Sequence, residues 1–144
     1  MAAENGNPMA FASLGQIYLD GEGVVKDITE ALEWLKRGAE ADNPYSQMRL
    51  GDSYLAGQGV ERSKAEAEKW YERAMTNLEH QRLLRLGNNY LFGKGVERNL
   101  VTSFKNFAET AKGGNAEGQF RVGDALYKGL GIPKNKRDAI QWYS

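Results

Sequence analysis

The sequence contains no cysteine and a single histidine, His80, so it has no disulfide framework and no thiolate metal site. Charge of either sign is not in excess: 19 Lys and Arg stand against 19 Asp and Glu, a formal net charge of zero. General binders of nucleic acid or of membrane surfaces lean on a basic surplus, and this chain has none. Long apolar runs are missing too, and none approaches the roughly 20 residues that cross a bilayer. The stretch Met1 to Leu14 has neither a basic start nor a long apolar stretch, so no signal-peptide pattern is visible. The compartment stays open, because a secreted protein need not carry cysteine. What remains is ordinary globular composition, 41% hydrophobic over 144 residues, enough for one domain with its own core.

The most informative feature is internal repetition. Leu14-Gly15 returns as Leu50-Gly51, Leu86-Gly87 and Val122-Gly123, a step of 36 residues each time. A G-x-G follows in every copy, at Gly21/Gly23, Gly57/Gly59, Gly93/Gly95 and Gly129/Gly131, and then Val24, Val60, Val96 or Ile132. Asp27, Ser63, Asn99 and Asn135 come next in phase, followed by Ala31, Ala67, Ser103 and Ala139, and then Trp34, Trp70, Asn106 and Trp142. Four copies fill the chain without insertion, at about 7–42, 43–78, 79–114 and 115–144, the last incomplete.

Each column has a physical reading. The Asp/Ser/Asn column supplies helix N-caps, whose side-chain oxygens accept from free amides of the first turn. The G-x-G ends the preceding helix with residues free to take positive φ. Asn7-Pro8, Asn43-Pro44 and Asn115-Ala116 start that preceding helix with a cap and a good first residue. The third copy reads Glu79-His80 there, a weaker start. Each repeat is therefore expected to be helix A of about 12 residues, a glycine turn and helix B, with the second helix B over Lys64 to Met75. One hairpin cannot bury its apolar face alone, so the copies must stack into an all-α solenoid. Gly15, Gly51, Gly87 and Gly123 lie inside helix A, where glycine costs roughly 1 kcal/mol relative to alanine. A large ring from helix B, such as Trp34 or Trp70, is expected to occupy that space, and the tryptophans are read as core.

The pattern L-G-x-x-Y-x-x-G-x-G-V followed by A-x-x-W, carried most completely by Leu50 to Val60, resembles the Sel1-like repeat family, a relative of the tetratricopeptide repeat. The resemblance spans nearly the whole chain. It implies a right-handed α/α superhelix with helix A on the concave side, and a scaffold or adaptor role in assembling protein complexes. The chain departs from the pattern at Asn106 in place of tryptophan, at Leu126 in place of tyrosine, and at Leu78 where Gly6 and Gly114 stand in other copies. The junction between the second and third copies is therefore expected to be atypical. The fourth helix B stops at Ser144, which suggests a fragment with Trp142 and Tyr143 near an open end.

Helix A residues at i, i+4, i+7 and i+11 share a face, and by analogy with the family this face lines the groove. It carries Met9, Ser13, Gln16 and Asp20; Tyr45, Arg49, Asp52 and Ala56; Gln81, Arg85, Asn88 and Phe92; and Glu117, Arg121, Asp124 and Lys128. The expected partner-binding residues are Tyr45, Arg49, Asp52, Arg85, Asn88, Phe92, Arg121 and Asp124. Arginine forks suit carboxylates and backbone carbonyls, and Tyr45 and Phe92 could anchor an apolar side chain. The competing reading makes Arg49–Asp52 and Arg121–Asp124 solvated i,i+3 pairs and lets Phe92 pack on the next repeat.

No catalytic serine constellation, metal spacing or cofactor motif is present. The G-x-G pairs follow helices rather than strands, against a phosphate loop. An RNA-reading array is disfavoured by neutral charge and by Asp52 and Asp124. The sequence thus points to a non-catalytic protein-interaction module that holds a protein or peptide segment, with no cofactor, nucleic acid or membrane insertion. The alternative is a structural segment of a longer solenoid that self-associates through its C-terminal end.

Overall fold

The computed structural model describes residues 6–21 and 23–144. Among the described residues the secondary structure is seven helices and no strand: α1 Pro8–Asp20, α2 Ile28–Glu40, α3 Pro44–Ala56, α4 Lys64–Phe92, α5 Leu100–Lys112, α6 Ala116–Lys128 and α7 Lys136–Tyr143.

Every expected N-cap is made. Asn7 accepts from the Met9 amide, Asp27 from Glu30, Asn43 from Ser46 and Ser63 from Glu66. Asn99, Asn115 and Asn135 accept from Thr102, Gly118 and Asp138. Each bond satisfies a first-turn amide that has no partner within its own helix. The A helices α1, α3 and α6 end on Gly21, Gly57 and Gly129 with φ of 70°, 69° and 74°, a region that favours glycine.

One junction differs from the regular repeat. Separate helices were expected around Glu79, yet α4 runs unbroken for 29 residues. The cause is legible in three columns. Gly6, Asp42 and Gly114 take positive φ of 78°, 62° and 84°, and so break the chain between copies. Leu78 stands in that column and stays helical, because a bulky side chain pays a steric penalty at positive φ. The next two residues are Glu79 and His80, where other copies have an Asn cap followed by Pro or Ala. Arg82 further binds Glu79 through two hydrogen bonds, 2.8 and 2.6 Å, one helical turn away.

The chain divides into two compact units, Met1–Leu78 and Glu79–Ser144. In the first, Leu32, Ala39 and Leu50 form a buried cluster against which Ile28, Tyr54, Val60 and Trp70 pack. In the second, Leu84, Phe107, Ala111, Val122, Leu126 and Ala139 are buried, flanked by Leu91, Phe104, Ala108 and Ile132.

The helix A glycines do admit large side chains, but not the tryptophans. A Cβ on Gly51 would stand 2.7 Å from Tyr71 Cε1, and one on Gly123 would stand 2.8 Å from Tyr143 Cε1. Gly87 faces the Phe107 ring in the same way, and Gly15 faces Leu35. The occupant is therefore the residue one position after the tryptophan column. Helix B turns about 100° per residue, so that neighbour points at helix A while the tryptophan lies to the side. Trp34 is half-buried, stacked on Phe11 at 5.9 Å and covered by the Arg37 guanidinium at 5.0 Å. Trp70 is half-buried and Trp142 is 40% exposed. The tryptophans thus flank the core, Trp70 packed against its buried cluster, and do not fill the glycine notches.

Candidate functional site

Each unit carries an open cleft on the helix A face. In the first unit, Met9, Ala12, Ser13 and Gln16 of α1 and Tyr45 and Arg49 of α3 line a cleft of about 310 Å³. In the second, Leu91 and Phe92 of α4, Arg98, Arg121, Asp124 and Lys128 of α6, and Leu130 line one of about 410 Å³. Five of the eight residues expected from sequence, Tyr45, Arg49, Phe92, Arg121 and Asp124, thus line a cleft. Tyr45 is 53% exposed and Phe92 is 61% exposed. Neither ring is used up in the core of its unit.

The polar residues divide by what they touch. Arg49 lies 3.6 Å from Asp52, the i,i+3 pair anticipated, with both side chains more than half exposed; such a pair contributes about 0.2–0.5 kcal/mol. Asp52 has a second task, accepting from the Tyr71 hydroxyl at 2.5 Å. Burial, and then the Asp52 carboxylate, push the Tyr71 phenol up to about 12. Asp52 therefore braces the ring that fills the Gly51 notch, and it does not line the cleft beside it. The anticipated Arg121–Asp124 pair is not formed. Arg121 reaches back to Glu117 at 3.6 Å, and Asp124 pairs forward with Lys128 at 3.1 Å. Both i,i+4 neighbours are acidic or basic as required, so each group finds a partner a full turn away.

Arg85 is exposed and lies outside the cleft lining, and so does Asn88. Asn88 Oδ1 and Arg121 Nε are nonetheless buried without a hydrogen-bond partner. Leaving such groups unsatisfied costs about 1–3 kcal/mol each.

Sequence reasoning missed Arg98, Leu91 and Leu130. Arg98 is fixed by its Nε donating to the Leu91 carbonyl at 3.0 Å. A signal for it existed: Lys26, Arg62, Arg98 and Lys134 make a basic column in all four copies. Also missed was a polar knot between α2, α3 and α4. Gln47, fully buried, donates to the Ala39 carbonyl and accepts from Asn77, while Arg73 pairs with Asp42 at 2.9 Å.

The Sel1 repeat model matches residues 9–43, 44–75, 83–115 and 116–144. The chain belongs to the Sel1 repeat family. The unmatched segment 76–82 contains Leu78, where α4 runs on without a turn. Among solved structures, a Sel1 repeat protein from Oxalobacter formigenes is 32% identical over 99% of this chain and 58% of its own, with a TM-score of 0.53. A protective antigen of uropathogenic Escherichia coli strains with an SLR fold is 34% identical over 99% of this chain and 30% of its own, with a TM-score of 0.52. This chain thus spans little more than half of one relative and about a third of the other. No curated protein matches it. The all-helical repeat architecture is that of these Sel1 solenoids, and Sel1 repeat proteins are generally interaction or scaffold modules. Among the described residues, no group of His, Asp and Glu could hold a metal ion, and no helix is long and apolar enough to cross a membrane.

Proposed function

We propose that this Sel1 repeat chain is a non-catalytic adaptor that holds a segment of another protein against the helix A faces of its repeats. The observation that carries this reading is the cleft of the second unit. It sets three cations, Arg98, Arg121 and Lys128, against one carboxylate, Asp124, beside the apolar Leu91, Phe92 and Leu130. A segment with one bulky apolar side chain next to acidic residues complements that surface. The apolar group covers Phe92 and Leu130, and the carboxylates meet guanidinium groups already held in place. Among the residues proposed for contact, Tyr45 and Arg49 serve the first unit and Arg85, Asn88, Phe92, Arg121 and Asp124 the second, while Asp52 positions Tyr71.

The test compares the chain with its Arg49/Arg85/Arg121→Glu variant on an array of acidic–apolar peptides, after circular dichroism shows both folded. The proposal expects Arg121→Glu alone to weaken the best peptide at least tenfold, about 1.4 kcal/mol. Equal binding by chain and triple variant would overturn it.

A further inference from the structure

A second pocket lies on a different face of α6. Phe104, Ala108 and Lys112 of α5, Val122 and Leu126 of α6, Ile132, and Asp138 and Trp142 of α7 enclose about 360 Å³, within the range of ligand sites. The α6 residues of the other cleft, Arg121, Asp124 and Lys128, lie about 100–160° around the helix from Val122 and Leu126. The two sites are therefore separate.

The repeat explains why this pocket exists. Seventy-two residues earlier, the corresponding side chains are Leu32, Lys36, Leu50, Tyr54, Val60 and Trp70. There the Tyr54 ring packs on the Leu32–Leu50 cluster together with Val60 and Trp70. Position 54 is tyrosine in three copies, as Tyr18, Tyr54 and Tyr90, and becomes leucine at Leu126. At the same spot Lys36 gives way to Ala108 and Leu50 to Val122, so three of the walls shrink together. Phe104 in place of Leu32 and Ile132 in place of Val60 are larger, and the first adds an aromatic wall.

We propose that this pocket receives the aromatic side chain of a partner segment, a tyrosine or phenylalanine ring taking the place that Tyr54 fills from within the chain. Phe104 and Trp142 offer ring faces and edges in the stacked or edge-to-face arrangements that aromatic pairs prefer. Val122 and Leu126 form a buried floor, 3% and 6% exposed. The opening favours a side chain over a free molecule: Lys112, Asp138 and Trp142 are exposed at the rim, so a small ligand would remain partly wet, whereas a side chain needs that opening for its backbone. The two rim charges are opposite, which suits a ring flanked by an acidic and a basic residue. The inference rests on the reading of the chain as a protein-interaction module, but uses none of the helix A residues.

The test titrates the labelled chain with the acetylated, amidated peptide Glu-Tyr-Lys, with the same peptide carrying alanine for tyrosine, and with p-cresol. The readouts are the Trp142 indole NH and the Val122 and Leu126 methyl resonances. Saturable shifts with the tyrosine peptide, none with the alanine peptide, weaker binding of p-cresol, and at least a tenfold loss in Leu126→Tyr are expected. Leu126→Tyr restores the residue of the other copies, and Ala108→Lys restores the other; the second serves if the first does not fold. Arg121→Glu should leave these shifts intact, so loss of the adaptor cleft and loss of this pocket are told apart. Absence of saturable shifts, p-cresol binding as tightly as the peptide, or unchanged affinity in both filled variants would overturn the proposal.

Discussion

Replacing Gly51 by alanine sets two effects of opposite sign against each other. In a solvated helix the change would stabilise by about 1 kcal/mol, because glycine is the poorer helix former. Here the new methyl carbon would stand 2.7, 2.9 and 3.0 Å from three atoms of the Tyr71 ring. That ring is not free to retreat, since its hydroxyl donates to Asp52 at 2.5 Å. Overpacking of this kind costs about 1–3 kcal/mol, and loss of a hydrogen bond to a charged acceptor adds about 1.5–3 kcal/mol. After the propensity gain, Gly51→Ala should destabilise by roughly 1.5–5 kcal/mol in urea denaturation. The same substitution in a Tyr71→Ala background should recover most of that loss, a coupling well above 1 kcal/mol in a double-mutant cycle. A stabilising Gly51→Ala, or strictly additive effects, would refute the notch-and-ring account.

Other consequences can be checked with equally simple variants. Because the Tyr71 phenol is raised to about 12, the fold favours its neutral form. That contribution is complete below pH 10 and is lost as pH rises toward about 12. Tyr71→Phe should flatten this alkaline loss in pH-dependent denaturation, and an unchanged profile would count against the assignment. His80→Pro should cost about 3 kcal/mol, since it places proline inside a continuous helix; a neutral effect would mean that a helix begins at residue 80. Asn43→Ala should cost about 1 kcal/mol by removing the cap on the Ser46 amide, read as a shift in the urea midpoint.

Much of this architecture is legible in the sequence because the repeat columns act locally. Asn7, Asp27, Asn43, Ser63, Asn99, Asn115 and Asn135 cap their own first turns, and Gly21, Gly57 and Gly129 close their own helices; neither needs tertiary knowledge. The continuity of α4 was partly legible. Leu78, Glu79 and His80 each depart from the junction pattern, but whether three weak signals merge two helices depends on their sum. The packing partner of the helix A glycines was misread because the tryptophan column repeats most visibly, while the adjacent Leu35, Tyr71, Phe107 and Tyr143 share only bulk. For the clefts, helical periodicity grouped Tyr45 with Arg49 and Arg121 with Asp124, and these residues line the two openings. It could not choose among ion-pair partners for Arg121, because Glu117 and Asp124 lie at comparable helical offsets. At the pocket beside Leu126 the sequence shows one departure from the family pattern but no cavity, because its size also depends on Ala108 and Val122, which only packing brings together.

The adaptor reading is tested most directly by locating a bound segment. Peptides selected from a displayed library against the folded chain should be enriched in acidic residues around one bulky apolar side chain. In amide and side-chain spectra the best of them should shift Phe92, Arg98, Arg121 and Lys128 in the second unit, or Tyr45 and Arg49 in the first. Shifts confined to the outer faces of α2 and α5, or a selected motif indifferent to Arg121→Glu, would contradict the central claim.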